Sequence, residues 1–133
     1  MSQENVEIVR RIVEAIRDRR WEEAIRQLAP DIELHGTVGG LTEGSVWRGP
    51  AQVLDFFEQD SEAWHERRLD AEQFIDAGDR VVVLLHEFRR GKGSGVETET
   101  DTAMVYELRD GRVVRLQGYM DRDEALEAAG LSE

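Results

Sequence analysis

The stretch that most constrains this chain is Thr102–Gly130, TAMVYELRDGRVVRLQGYMDRDEALEAAG. Two segments rich in β-branched and aromatic residues flank Asp110-Gly111, a pair suited to the positive φ angles of a tight hairpin turn. The second segment runs into Asp121-Arg122-Asp123-Glu124. There Asp121 can cap a helix and Glu124 can reach back as a capping box. The C-terminal part therefore reads as strand, turn, strand and short closing helix.

Upstream, Val6, Val9, Val13 and Ile16 recur at helical spacing, widened by Ile8, Ile12 and Ala15. A second helix is predicted over Trp21–Leu28, ended by Pro30. Ile32–His35 alternates as a first strand. Gly36–Gly49 holds five glycines and reads as one long irregular segment. Pro50 suits the first turn of a helix running from Ala51 to about Glu66, with Val53, Phe56, Phe57 and Trp64 turned inward. Strands follow over Leu69–Ile75, Arg80–Arg90 and Val96–Leu108. The order α-α-β-α-β-β-β-β-α predicts an α+β fold, one bent antiparallel sheet wrapped around the long helices with a cavity between. A length of 133 residues suits a single domain over residues 1–133.

Charge narrows the functions. Seventeen basic against 29 acidic residues leave a net charge of −12, which argues against a nucleic-acid partner and against anionic membranes. No cysteine is present, so thiolate catalysis and Cys-ligated zinc are excluded. The opening residues lack the apolar core of a signal peptide, and cytoplasmic residence is expected. No cofactor is expected, and no metal: His35 and His65 lack acid or histidine partners at ligand spacing.

Several segments together resemble the SnoaL-like proteins of the nuclear-transport-factor-two-like superfamily. They are Trp21-Glu22-Glu23-Ala24, Pro30-Asp31-Ile32-Glu33, Trp47-Arg48-Gly49-Pro50 before Phe56-Phe57, Phe74–Val81, Leu108–Val113 and Tyr119-Met120-Asp121. The resemblance spans nearly the whole length and implies a cone-shaped α+β barrel, a homodimer joined through the convex face of the sheet, and relatives that include ketosteroid isomerases, polyketide cyclases and limonene epoxide hydrolases. Their reactive groups do not carry over. The isomerase tyrosine falls on Ile12, its base on Gly36 and its oxyanion aspartate on Met104. The cyclase aspartate falls on Gly118, and strand Val81–Arg90 shows no Asp/Arg pair of the epoxide-hydrolase kind. Fold resemblance alone supplies no reaction.

Strand alternation predicts what lines the cavity. Glu87 and Arg89 mark an outward face, leaving Val82, Leu84, His86 and Phe88 inward. Glu99, Asp101 and Glu107 leave Thr102, Met104, Tyr106 and Leu108 inward, and Arg115 and Gln117 leave Leu116, Gly118 and Met120 inward. The wall is then apolar, widened by Gly118 and by methionines that repack around irregular shapes, and it carries no ionised acid. A small hydrophobic molecule is the expected partner. Its candidate binding residues are Ile12, Trp47, Phe57, His86, Thr102, Met104, Tyr106, Leu116, Gly118 and Met120. His86 is the best catalytic candidate, because imidazole titrates near neutral pH, against the plainer reading of a satisfied core histidine. The alternative is a non-catalytic dimeric module with a packed cavity that acts through protein partners.

Overall fold

The computed structural model describes residues 2–131, without the side chains of Ser2 and His65, so the reading of His65 lies outside the described residues. Its elements are α1 Ser2–Arg17, α2 Trp21–Arg26, β1 Leu28–Val38, β2 Val46–Arg48, α3 Gly49–Glu62, β3 Trp64–Ala77, β4 Arg80–Gly91, β5 Glu97–Arg109, β6 Arg112–Tyr119 and α4 Arg122–Ala128. The strands form one curved sheet in the order β2-β1-β6-β5-β4-β3. Neighbours run antiparallel except β1 and β6, which are parallel. The register shifts between β1 and β6, between β3 and β4 and between β5 and β6 interrupt the ladders where the sheet bends. The α+β class and the bent sheet match the expectation.

Helices α1 and α3 lie on the concave face. Val6, Val9, Ile12 and Val13 pack there with Val53 and Phe57 against Ile32, Leu34, Val81, Val83, Leu85, Leu108 and Leu116. On the convex face Ala125 of α4 and Ala129, which follows it, pack against Val82, Ala103 and Val105. Local signals held where they were strongest. Asp110 and Gly111 take φ of 53° and 76°, and the Asp121 carboxylate accepts from the backbone N–H groups of Asp123 and Glu124.

Three boundaries differ from the sequence reading. Helix α2 ends at Arg26, and Leu28 and Pro30 belong to β1, because pairing with β6 begins at Leu28 opposite Val113. Pro30 falls in the register gap before Glu33, where no ladder hydrogen bond is forfeited. The glycine-rich segment is not wholly irregular. Its start extends β1 to Val38, and Val46–Arg48 pairs back on Glu33–His35 as β2. Helix α3 stops at Glu62, and Trp64 opens β3 opposite Gly91.

Candidate functional site

Six of the expected binding residues, Ile12, Trp47, Phe57, Met104, Tyr106 and Leu116, meet in the concave cluster. The Trp47 ring centroid lies 4.4 Å from that of Phe56, and Phe57 lies 6.4 Å from Trp21. Tyr106 stands between Val81 of β4 and Leu116 of β6 and is 2% exposed. Burial pushes its ionisation upward, so the phenol stays protonated. Its hydroxyl pairs with no described residue. Among the described residues no side-chain nitrogen or oxygen sealed from solvent lacks a partner, so this hydroxyl opens onto space that water reaches.

The positions on which the resemblance places acids, Gly36 and Gly118, are occupied instead by packing. A Cβ at Gly36 would lie 1.7 Å from the carbonyl oxygen of Thr42. One at Gly118 would lie 2.6 Å from Thr37 Oγ1 and 3.1 Å from Met104 Sδ. Gly118 therefore does not widen the wall; it admits the close approach of Thr37 and Met104. Met120 is corrected as well. It is 41% exposed, and its Cβ lies 3.2 Å from where a Cβ on Gly39 would be.

His86 is the main correction. The concave residues of β4 are Val81, Val83 and Leu85, so His86 lies on the opposite, convex face. Its Nδ1 lies 2.7 Å from Asp101 and its Nε2 2.9 Å from Glu99. Hydrogen bonds to these two carboxylates raise its pKa to about 9, so it is a cation at neutral pH. Hydrogen bonding to His86 in turn lowers Asp101 below the usual carboxylate range. Glu72 lies close by, but Arg122 reaches it at 2.7 Å and Asp101 at 3.8 Å, so cations already answer these acids. A raised histidine pKa stabilises the fold fully below its ordinary 6.5 and loses that contribution as pH rises through about 9. The stability gap between the wild type and His86→Gln, measured by urea unfolding, is expected to shrink from about pH 6 to about pH 10. A histidine titration midpoint near 6.5 by NMR would contradict the bridge.

Glu87 and Arg89, expected outside, face the concave side. Thr102 Oγ1 donates to Glu87 Oε2 at 2.7 Å, and Arg89 donates to Glu87 Oε1 at 2.5 Å. The Arg89 guanidinium lies 5.1 Å from the centroid of Trp64. On the adjoining strand Arg67 stands opposite Arg89 and is ion-paired with Asp60 of α3. The side chains of Arg67 and Glu87 are only 10% and 13% exposed. Thr102 is thus on the concave face as expected, but it joins a charged group at one end of the apolar wall. Alternation does not disclose this, because β4 is apolar on both faces from Val81 to Leu85 and Glu87 and Arg89 serve as its markers of an outer face. The one signal available was the like pattern on β3, where Arg67 precedes an apolar inner face.

Two depressions lie elsewhere on the described surface. One of about 340 Å³ runs along α1 beside Glu7 and Ile8, and one of about 180 Å³ lies on the convex face beside Glu107 and Gln117.

Comparison with known proteins fits this architecture. The SnoaL-like domain family matches residues 9–116. An NTF2-like protein of unknown function from Burkholderia pseudomallei K96243 is 27% identical, with 96% of this chain and 97% of that one covered and a TM-score of 0.78. TerC, crystallised with polyporic acid, is 26% identical, with 96% and 98% covered and a TM-score of 0.76. A putative SnoaL-like polyketide cyclase from Jannaschia sp. CCS1 shares the fold at 19% identity, with 100% and 95% covered and a TM-score of 0.79. No curated protein sequence matches the chain.

Proposed function

The chain belongs to the SnoaL-like domain family, and from that premise we propose that it binds a small lipophilic molecule on the concave face, with the Tyr106 hydroxyl donating to an oxygen of the ligand. One observation carries this reading. A buried tyrosine hydroxyl ordinarily has a partner, whereas this one is held protonated, faces the apolar cluster and is paired with no described residue. Met104, Phe57 and Trp47 supply the adaptable and aromatic surface for the ligand body. The face also holds the Glu87 carboxylate beside Thr102, which lies four residues or about 13 Å along β5 from Tyr106. Glu87 replaces His86 as the candidate base, and at that separation it serves the opposite end of the ligand from the Tyr106 contact.

The test is a thermal-melting screen on wild type and Tyr106→Phe. The compounds are polyporic acid, steroids, terpenes and polyketide fragments. At least one carbonyl compound is expected to raise the melting temperature. Tyr106→Phe loses no hydrogen bond within the protein, so its unliganded stability should equal or exceed the wild type. Its affinity for that compound should fall about ten-fold. A screen without any shift, or equal binding by Tyr106→Phe, would overturn the reading.

The filled positions at Gly36 and Gly118 favour a second reading, a non-catalytic homodimer joined through the convex face and acting through protein partners. It expects a silent screen and a dimer by sedimentation.

A further inference from the structure

We infer that the ligand of the concave face is acidic, and that Arg67 and Arg89, with Arg19 at the rim, seat its carboxylate or acidic enol beside Trp64. This rests on the lipophilic-ligand reading above and adds the chemical class of the ligand.

The charges come first. The acids acting on Arg67 are Asp60 and Glu87, and the cations are Arg89 and Arg19. Asp60 and Glu87 answer Arg67 and Arg89, and the exposed Arg19 adds a further positive charge that acts on Arg67, inside a protein whose net charge is −12. Arg19 makes no ion pair with any described residue. A local surplus of positive charge in an acidic chain is a place for an anion, since it attracts one against the overall field.

The hydrogen-bonding capacity points the same way. A guanidinium offers five N–H donors. Arg67 donates only to Asp60, and Arg89 only to Glu87. Both residues are largely buried, yet no sealed nitrogen among the described residues lacks a partner. The spare donors thus open onto space that solvent, or a ligand oxygen, reaches. Arg67 and Arg89 stand directly opposite each other on paired strands, which suits two guanidiniums to one carboxylate. Trp64 flanks Arg89 and offers a face for an aromatic body.

The competing account is a structural one, in which Arg67, Arg89, Asp60 and Glu87 only neutralise one another. The two accounts differ in what Glu87 does. As a purely structural partner it supports the arginines. As a neighbour of an anion seat it competes for the Arg89 donors.

The probes are 2-naphthoate and its uncharged counterpart 2-naphthamide, titrated into the full chain and followed by NMR at the Trp64 indole N–H. Naphthoate is expected to bind about ten-fold more tightly than naphthamide, with an advantage that salt erodes. Arg89→Met should remove most of the preference for naphthoate over naphthamide. Arg19→Met, which breaks no ion pair, should lower it in a chain that folds as the wild type does. Glu87→Gln should tighten naphthoate about three-fold, the direction a structural role does not produce. If naphthamide binds and naphthoate binds no more tightly, or if Arg89→Met keeps the preference, the acid seat is wrong and the lipophilic-ligand reading stands. If neither probe binds, both fail.

Discussion

Gly36→Asp, which returns a carboxylate to the position where the isomerase base falls, is expected to destabilise the fold by about 3 kcal/mol or more and to create no base. The penalty begins at Cβ, which would lie 1.7 Å from the Thr42 carbonyl oxygen and 2.4 Å from its carbon. Both atoms are backbone, so no side-chain rotation relieves the clash. The loop carrying Thr42 is also tied down. The Gly36 N–H donates to the Ser45 carbonyl at 2.9 Å, and the Thr37 N–H donates to Thr42 Oγ1 at 3.1 Å. A carboxylate at this buried glycine would then need a counter-ion, and the basic residues of the concave face lie at its other end. Gly36→Ala separates the two effects, because it introduces the clash without the charge. It should lose most of the same stability in urea unfolding. If Gly36→Ala keeps the wild-type midpoint, the loop over 39–45 is not seated on β1 in solution, and the concave face is open at that end.

Arg67→Met is expected to destabilise the fold by about 2 kcal/mol. The apolar replacement keeps most of the volume but strands Asp60, whose side chain is 25% exposed and whose partner is only 10% exposed. Removing one member of a buried pair leaves the other desolvated and unanswered, and the partial exposure of Asp60 keeps the loss below that of a fully buried pair. The double variant Arg67→Met with Asp60→Asn should recover most of it, because it removes both charges. Strictly additive losses in a double-mutant cycle would show that the two side chains are not coupled.

Tyr106 and Glu87 differ in how far the sequence disclosed them. Alternation placed Tyr106 correctly because β5 carries Glu99, Asp101 and Glu107 on one face and mostly apolar groups on the other. The same logic reversed β4. Its run Val81–Leu85 is apolar on both faces because helices cover one side and α4 covers part of the other. Glu87 and Arg89 are tolerated inside because Thr102, Arg67 and Asp60 answer them. Those partners come from β5, β3 and α3, and no local pattern announces them. The same inversion puts His86 on the convex face, where alternation correctly locates its acidic partners Glu99 and Asp101.

What the chain's own order of residues determined is whatever depends on near neighbours. The Asp110-Gly111 turn, the Asp121 cap, the helical stripe of α1 and the α+β class are of this kind, since backbone dihedrals and short-range hydrogen bonds set them. Tertiary structure alone decided that Leu28 and Pro30 join a strand, because their partner is β6, which lies far along the chain. It also decided which face of β4 turns inward. A charged side chain is stable wherever its counter-charge lies, and only the folded chain brings Arg67, Asp60 and Thr102 to Glu87 and Arg89.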